Sequence, residues 1–294
     1  MKHEERIVRL PCWQGPLKIA PLSGGMTNEN YLVVDQSGKY VVRVGDDSPE
    51  HLILRSNEVA SGRAAHSIGS SPEVIHSEKG ILVIRYIEGE VCDEQRICDE
   101  DMLPRVITLI KHFHDEMLRQ FSGFPIMFWV FQVIRHYRNV LIQHDSHYLN
   151  VIPDLVTIAN DLEKIVGPVE LVFGHNDLLA ANFIDDGQKL WLIDFDYAGF
   201  NSPLFDLSNL ASNNGLSQAQ ERWMLETYYL APLDDQRWQS YNAMKCASLL
   251  RETIWSMVSE SISSLDFDFP SYTKDNMARF ERIYLPFKQE FLTS

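Results

Sequence analysis

Three oxygen-bearing side chains stand close together in the middle of the chain. Asp177 lies two residues after His175, Asn182 five residues further on, and Asp194 closes the next apolar run. Leu171-Val172-Phe173 leads into the first of them and Leu190-Trp191-Leu192-Ile193 into the last. Short apolar runs that end in acidic loops read as strands delivering carboxylates to one edge. Asp177, Asn182 and Asp194 are therefore expected together at the mouth of a short hairpin. The arrangement suggests phosphoryl transfer, whose catalysis is chiefly positioning and charge neutralisation. The bland alternative is a surface turn rich in Asp and Asn.

An acidic chain that handles a polyanion must concentrate positive charge locally, and Arg43 is a charge in an unusual place, although an Arg paired on the surface would read the same way. Tyr31-Leu32-Val33-Val34-Asp35 and Tyr40-Val41-Val42-Arg43-Val44 are β-branched and aromatic runs joined across Gln36-Ser37-Gly38-Lys39, which reads as a hairpin. Alternation puts Val41 and Arg43 on one face and Tyr40, Val42 and Val44 on the other. An Arg inside an apolar strand must emerge at an edge or meet a counter-charge. Ser48-Pro49-Glu50 reads as a helix start, with Ser as N-cap and Pro at the first position, and that helix carries Glu58 within reach of Arg43. Before the hairpin, Ser23-Gly24-Gly25-Met26-Thr27-Asn28 is a small loop. Its adjacent glycines let backbone N–H groups approach an anion, although an ordinary turn has the same composition.

The elements that must position these groups fall into two lobes. Leu17 to Tyr86 is mostly strand, with further strands at Glu73–His76 and Ile81–Tyr86, and Glu88-Gly89-Glu90 breaks the pattern. The boundary is expected near Ile87, giving a lobe of residues 1–87 and another of 88–294. From Asp99 onward Met102, Val106, Leu109, Ile110, Phe113 and Met117 recur at helical spacing and form a core face. Helices are expected over about Met127–Leu149 and Pro153–Val166, with three or four more after Asp194, the first begun at Asp206. His112 and His114 point to different helix faces, and neither they nor His144 and His147 meet a carboxylate cluster, so all four read as structural.

Composition bounds the partners. With 26 Lys and Arg against 41 Asp and Glu, the formal charge of the 294 residues is −15, and the pI is near 5.0. That excludes the basic surfaces used on nucleic acids and anionic membranes, and it suits a cationic co-substrate and Mg²⁺. The four cysteines form no Cys-x-x-Cys pair, the N-terminus carries no apolar segment of signal-peptide type, and no apolar window is long enough to span a bilayer. The expected setting is the cytoplasm, with reduced thiols.

The motifs resemble those of the choline/ethanolamine kinase family, within the aminoglycoside-phosphotransferase-like, protein-kinase-like superfamily, and bacterial choline kinases in particular. The resemblance rests on Gly24-Gly25-Met26-Thr27-Asn28, on His175-Asn176-Asp177-Leu178 with Asn182, on Ile193-Asp194-Phe195-Asp196-Tyr197, on Phe205-Asp206-Leu207, and on Glu252-Thr253-Ile254-Trp255. It implies an α+β fold in which a small antiparallel sheet with one helix sits over a mainly helical lobe, with ATP in the cleft. It further implies Asp177 as the catalytic base, Asn182 and Asp194 as Mg²⁺ ligands, and Arg43 with Glu58 as the phosphate-pairing cation and its partner. Gly24, Gly25 and Asn28 would cover the phosphates, and Asp177, Asp196, Tyr197 and Trp255 would face a small alcohol substrate.

By this resemblance the substrate is cationic, choline first and ethanolamine second, held by aromatic faces through cation–π attraction. Two positions depart from the family: Val258 replaces a second aromatic three residues after Trp255, and Asp196 replaces Glu. Aminoglycoside-, sugar- and thiamine-like alcohols stay open as substrates, and a catalytically inactive binding module stays open as a different class. Neither Asp-Phe-Gly nor Ala-Pro-Glu follows Asp194, so the activation segment of protein kinases is not visible.

Overall fold

A computed structural model describes residues 3–22, 28–124, 126–263, 265 and 267–292. Gly24 and Gly25, expected over phosphates, lie outside the described residues. The first half of the chain makes a helix α1 (His3–Val8), strands β1 (Lys18–Leu22), β2 (Glu29–Asp35) and β3 (Gly38–Val44), a helix α2 (Arg55–Ser67), and strands β4 (Val74–Glu78) and β5 (Ile81–Arg85). The five strands form one antiparallel sheet in the order β1-β2-β3-β5-β4. The turn between β2 and β3 is pinned by Asp35, whose carboxylate accepts from the backbone N–H of Ser37 and Gly38. Its other determinant is the alternation along β3. Tyr40, Val42 and Val44 pack with Val33, Ile81 and Val83, and with Ile7 and Leu10 beneath the sheet, into a small core. Val41 and Arg43 are left on the face turned to the rest of the molecule.

The helix expected to begin at Ser48 does not. Ser48 opens only a 3₁₀ turn, Pro49–His51, and caps nothing. The chain then closes on itself through paired backbone hydrogen bonds between Ser48 and Ile53, with Leu52 left-handed at φ 60°. α2 starts at Arg55, whose N–H is accepted by the Asp47 carboxylate at 2.7 Å. The capping oxygen therefore comes from a residue eight positions upstream, outside the local pattern that signals a cap.

The second half contributes β6 (Glu90–Val91), α3 (Glu94–Ile97), α4 (Met102–Gln120), α5 (Val130–Gln143), α6 (Ile152–Val166), β7 (Val172–Gly174), β8 (Phe183–Asp185), β9 (Leu190–Leu192), β10 (Gly199–Asn201), α7 (Pro203–Asn214), α8 (Gln218–Tyr229), α9 (Asp235–Ile262) and α10 (Phe269–Phe291). The expected single helix over 127–149 is shorter: it ends where Asp145 turns left-handed, and a separate 3₁₀ turn follows at His147–Asn150. The 28-residue α9 is the axis of this half, packed by α5, α6, α7 and α10. The apolar run ending at Phe173 pairs with β10, while the hairpin beside the acidic loops is β8–β9, joined on its outer edge by β6. This arrangement is the α+β, two-lobed one expected.

We propose that the lobe boundary lies at Ile87, between β5 of the first sheet and β6 of the second. Gly89 passes close against β8, where a Cβ would stand 2.6 Å from the Asp185 carbonyl oxygen. Among the described residues no helix is long and apolar enough to cross a membrane, and the four cysteines are free.

Candidate active site

The loop between β7 and β8 carries His175, Asn176, Asp177 and Asn182, and it is held from beneath. Asp206, in the first turn of α7, accepts the backbone N–H of both His175 and Asn176 at 2.7 Å. Asp206 also takes a 2.8 Å hydrogen bond from Nε2 of buried His114 on α4, whose Nδ1 meets the Tyr228 hydroxyl at 2.8 Å. Burial alone would raise the Asp206 carboxyl, but His114 holds it below the ordinary range. Asn176 is left-handed at φ 66° and Asp194 at φ 68°. Such non-glycine conformations cost about 1–3 kcal/mol each and persist only where neighbours over-determine them. Here Asn176 Nδ2 donates to the carbonyls of Tyr197 and Gly199, and His175 Nε2 lies 2.9 Å from the Ile193 carbonyl oxygen. The two acidic loops are thereby cross-linked. Asn182 donates Nδ2 to the Asp177 carbonyl at 2.8 Å, which leaves Oδ1 as the atom it can offer a cation.

Arg43 meets these loops from the other lobe. Its Nη1 lies 2.6 Å from Glu58, 2.9 Å from Asp194 and 3.1 Å from Asp196. Arg55 donates to Glu58 at 2.8 Å and to Asp196 at 2.6 Å. Asn28, immediately before β2, reaches the same Asp196 at 3.5 Å. Glu58, Asp194 and Asp196 bring carboxylate oxygens within 4.8 Å of one another. Three carboxylates this close, Glu58 and Asp196 buried and Asp194 half-buried, coexist because two guanidinium groups lie among them. Burial would raise Asp194, but Arg43 keeps it below the usual carboxylate range. Burial, with Asp194 and Glu58 adjacent, pushes Asp196 up to about 7 against the pull of Arg43 and Arg55. Asp196, expected to face the substrate, is thus engaged by the first lobe. The sequence reading misses Arg55; its signal is the i, i+3 spacing to Glu58 on one helix.

Behind the cluster a cavity of about 340 Å³ opens between the lobes. Leu22, Val41, Leu82, Ile84 and Phe195 make its apolar end, and Arg43, Glu58, Asn182 and Asp194 its polar end. An apolar slot leading to a few convergent charges is the form of a small-ligand pocket.

On the far side of Asp177 lie the aromatic residues. Trp255 of α9 donates Nε1 to the Tyr197 hydroxyl at 2.8 Å, and both rings are buried. The Arg251 guanidinium, only 2% exposed, sits 4.5 Å from the Tyr197 ring centre and bonds Glu252 at 2.7 Å, while Tyr272 bonds the other Glu252 oxygen at 2.9 Å. His51 stacks on Trp255 at 5.0 Å and 34°, with Nε2 3.2 Å from Ser259 Oγ. Burial and then the nearby Arg251 lower its pKa to about 4, so the imidazole is neutral. Val258 is fully buried. Asp177 itself is pushed up to about 8, chiefly by burial, with Arg251 opposing and Glu252, Asp194 and Asp196 adding to the rise. A cleft of about 590 Å³ bordered by Asn28, Glu29, Glu50, His51, Trp255 and Phe269 opens here. The sequence reading also misses His51 and Arg251. The first lies in an irregular turn, and the second stands in the apolar run Leu249-Leu250, where a charge is itself the signal.

A small sheet with one helix set over a helical lobe, with acidic loops meeting an Arg–Glu pair at the seam, defines a kinase-like fold. The chain belongs to the choline/ethanolamine kinase family, whose model matches residues 19–226. It is 28% identical over 210 residues to the protein LicA of Haemophilus influenzae, covering 70% of this chain and 61% of that one. It is 25% identical over 293 residues to human ethanolamine kinase 2, covering 89% of this chain and 75% of the relative. In fold it resembles the choline kinase LicA of Streptococcus pneumoniae, with a TM-score of 0.77 and 21% identity over 98% of this chain and 100% of that one.

Proposed function

We propose that the protein transfers the γ-phosphoryl group of ATP to the hydroxyl of choline or ethanolamine. The observation that carries this reading is that Asn182 and Asp194 line the interlobe cavity together with Arg43 and Glu58, while Asn182 also holds the backbone carbonyl of Asp177 at 2.8 Å. The cavity's apolar end fits a nucleobase, and its polar end the phosphates. Arg43, oriented by Glu58, would pair with phosphate oxygens, and Asn28 would cover them, as would Gly24 and Gly25 outside the described residues.

The donor set fits Mg²⁺: Oδ1 of Asn182 and the Asp194 carboxylate are hard oxygen ligands, and Mg²⁺ takes one or two such groups alongside phosphate oxygens and water. When bound, the ion neutralises charge on the transferring phosphates. Asp177 would align the acceptor hydroxyl and take its proton. Its raised pKa suits a group that must gain a proton in the reaction, since a base is most effective with a pKa near the working pH. The cleft lined by Trp255, with Glu29 and Glu50 at its edge, would admit the cationic acceptor, Tyr197 standing behind it. Dependence on ATP and Mg²⁺ points to a cytoplasmic setting.

The test is release of ADP from Mg·ATP against a panel of small alcohols. Turnover on choline or ethanolamine that disappears without Mg²⁺ is expected. Turnover confined to sugars or aminoglycosides would replace the acceptor, and nucleotide binding with no turnover on any alcohol would overturn the enzymatic reading.

A further inference from the structure

Two aromatic rings, Tyr197 and Trp255, stand where a quaternary ammonium would be caged, yet each already has a protein group lying against it. The guanidinium of Arg251 lies 4.5 Å from the Tyr197 ring centre and 5.6 Å from that of Phe128. His51 lies at 5.0 Å on Trp255. The rings are 8% and 5% exposed, so little of either face is open, and Val258 supplies no further ring.

The way Arg251 is held is informative. Only Nη1 has a hydrogen-bond acceptor, the Glu252 carboxylate at 2.7 Å; the buried Nε and Nη2 have none in ordinary hydrogen-bonding geometry. A buried cation is normally saturated with acceptors. This one is stabilised by aromatic faces, the buried Tyr137 hydroxyl beside it and a neighbouring carboxylate, much as a bound choline headgroup would be.

We propose that Arg251 is a built-in cation that occupies the Tyr197 side of the aromatic cage, making it a specificity-determining residue for an acceptor that carries a primary ammonium rather than a quaternary one. The inference rests on the kinase reading above and narrows its substrate. With the ring faces taken, recognition of the acceptor's charge falls to carboxylates. Glu252 is oriented by Arg251 and Tyr272, and Glu29 and Glu50 border the cleft. A primary ammonium can donate N–H bonds to such oxygens and so offset the proximity of the Arg251 charge. A trimethylammonium has no N–H to donate, is bulkier, and meets the same positive charge without compensation.

The experiment is steady-state phosphorylation of ethanolamine, N-methylethanolamine, N,N-dimethylethanolamine and choline by the full chain with Mg·ATP. For the unmodified protein kcat/KM is expected to fall along the series by about thirtyfold or more, mostly through KM. Arg251→Gln keeps a hydrogen bond to Glu252 but removes the charge. It is expected to raise the choline to ethanolamine ratio of kcat/KM about tenfold, the scale of one desolvated cation–π contact. Arg251→Lys is expected to keep the original order. A flat series, a preference for choline, or a ratio unmoved in Arg251→Gln overturns the proposal. If that variant does not fold, the series with the unmodified protein decides alone. No turnover on any of the four overturns choline and ethanolamine as acceptors, and this inference with them, while the phosphotransferase reading is decided by the wider panel of alcohols.

Discussion

Arg43 Nη1 lies 2.9 Å from Asp194 Oδ1, so the third strand of one lobe is tied by a charged hydrogen bond to the acidic loop of the other. The same nitrogen serves Glu58 and Asp196. Removing it leaves three carboxylates facing each other with Arg55 alone among them, and breaking a buried ion pair from one side costs about 3–5 kcal/mol. Arg43→Met is expected to lower the unfolding free energy by about that amount in a urea titration and to raise the KM for ATP at least roughly tenfold. Arg43→Lys, which keeps the charge as a single point, is expected to lose less stability. A Met variant of ordinary stability and ordinary ATP affinity would show that the cluster is not held by this residue.

Asp177 touches neither arginine of the cluster, so its substitution separates chemistry from binding. Asp177→Asn keeps the side chain's size and removes its ability to take a proton. The expected outcome is a fall in kcat by a factor on the order of 10²–10⁴, while the KM for ATP changes little. Single-turnover measurements at saturating acceptor would read this directly. Near-normal turnover would remove Asp177 from the role of base.

How these residues meet is partly legible in the amino-acid sequence. Strand alternation places Arg43 on the face opposite Tyr40, Val42 and Val44, and the sheet does so because those three bury against Ile7 and Leu10. The acidic loops are legible because each ends a short apolar run. The start of α2 is not, since its cap comes from Asp47 through a looped-back turn and no local spacing signals that. Nor is the engagement of Asp196 by Arg55, or the stacking of His51 on Trp255, residues far apart along the chain. Contacts of that kind depend on how the lobes close, and a side chain's type constrains them weakly.

His51 carries a dependence on pH that follows from its burial. Its pKa is about 4 in the folded protein against 6.5 as the ordinary value, so between those limits the unfolded chain binds the proton that the folded one refuses. Stability from this site is complete above pH 6.5 and is lost as the pH falls toward 4, by about 3 kcal/mol in all at 1.36 kcal/mol per unit. His51→Gln, which cannot titrate, is expected to show a correspondingly shallower loss over that window when unfolding free energies are compared at about pH 7 and about pH 4.5. Parallel curves for the two proteins would mean that the imidazole is not kept neutral.

The left-handed Asn176 gives the last expectation. The catalytic loop holds this conformation through the two backbone N–H groups bound by Asp206, and Asp206 is itself fixed by the Nε2 of His114, so a residue of α4 sets the position of Asp177 without touching it. His114→Leu removes that donor in a fully buried place and leaves both Asp206 and the Tyr228 hydroxyl short of a partner, at a cost of about 1–3 kcal/mol. Because the loop's register, and not the nucleotide cavity, depends on this link, kcat is expected to fall about tenfold while the KM for ATP stays within about a factor of two. His114→Gln can return a nitrogen donor to the Asp206 side and is expected to recover much of kcat. Equal changes in kcat and KM, with no recovery by Gln, would mean that His114 supports the lobe as a whole and does not position the loop.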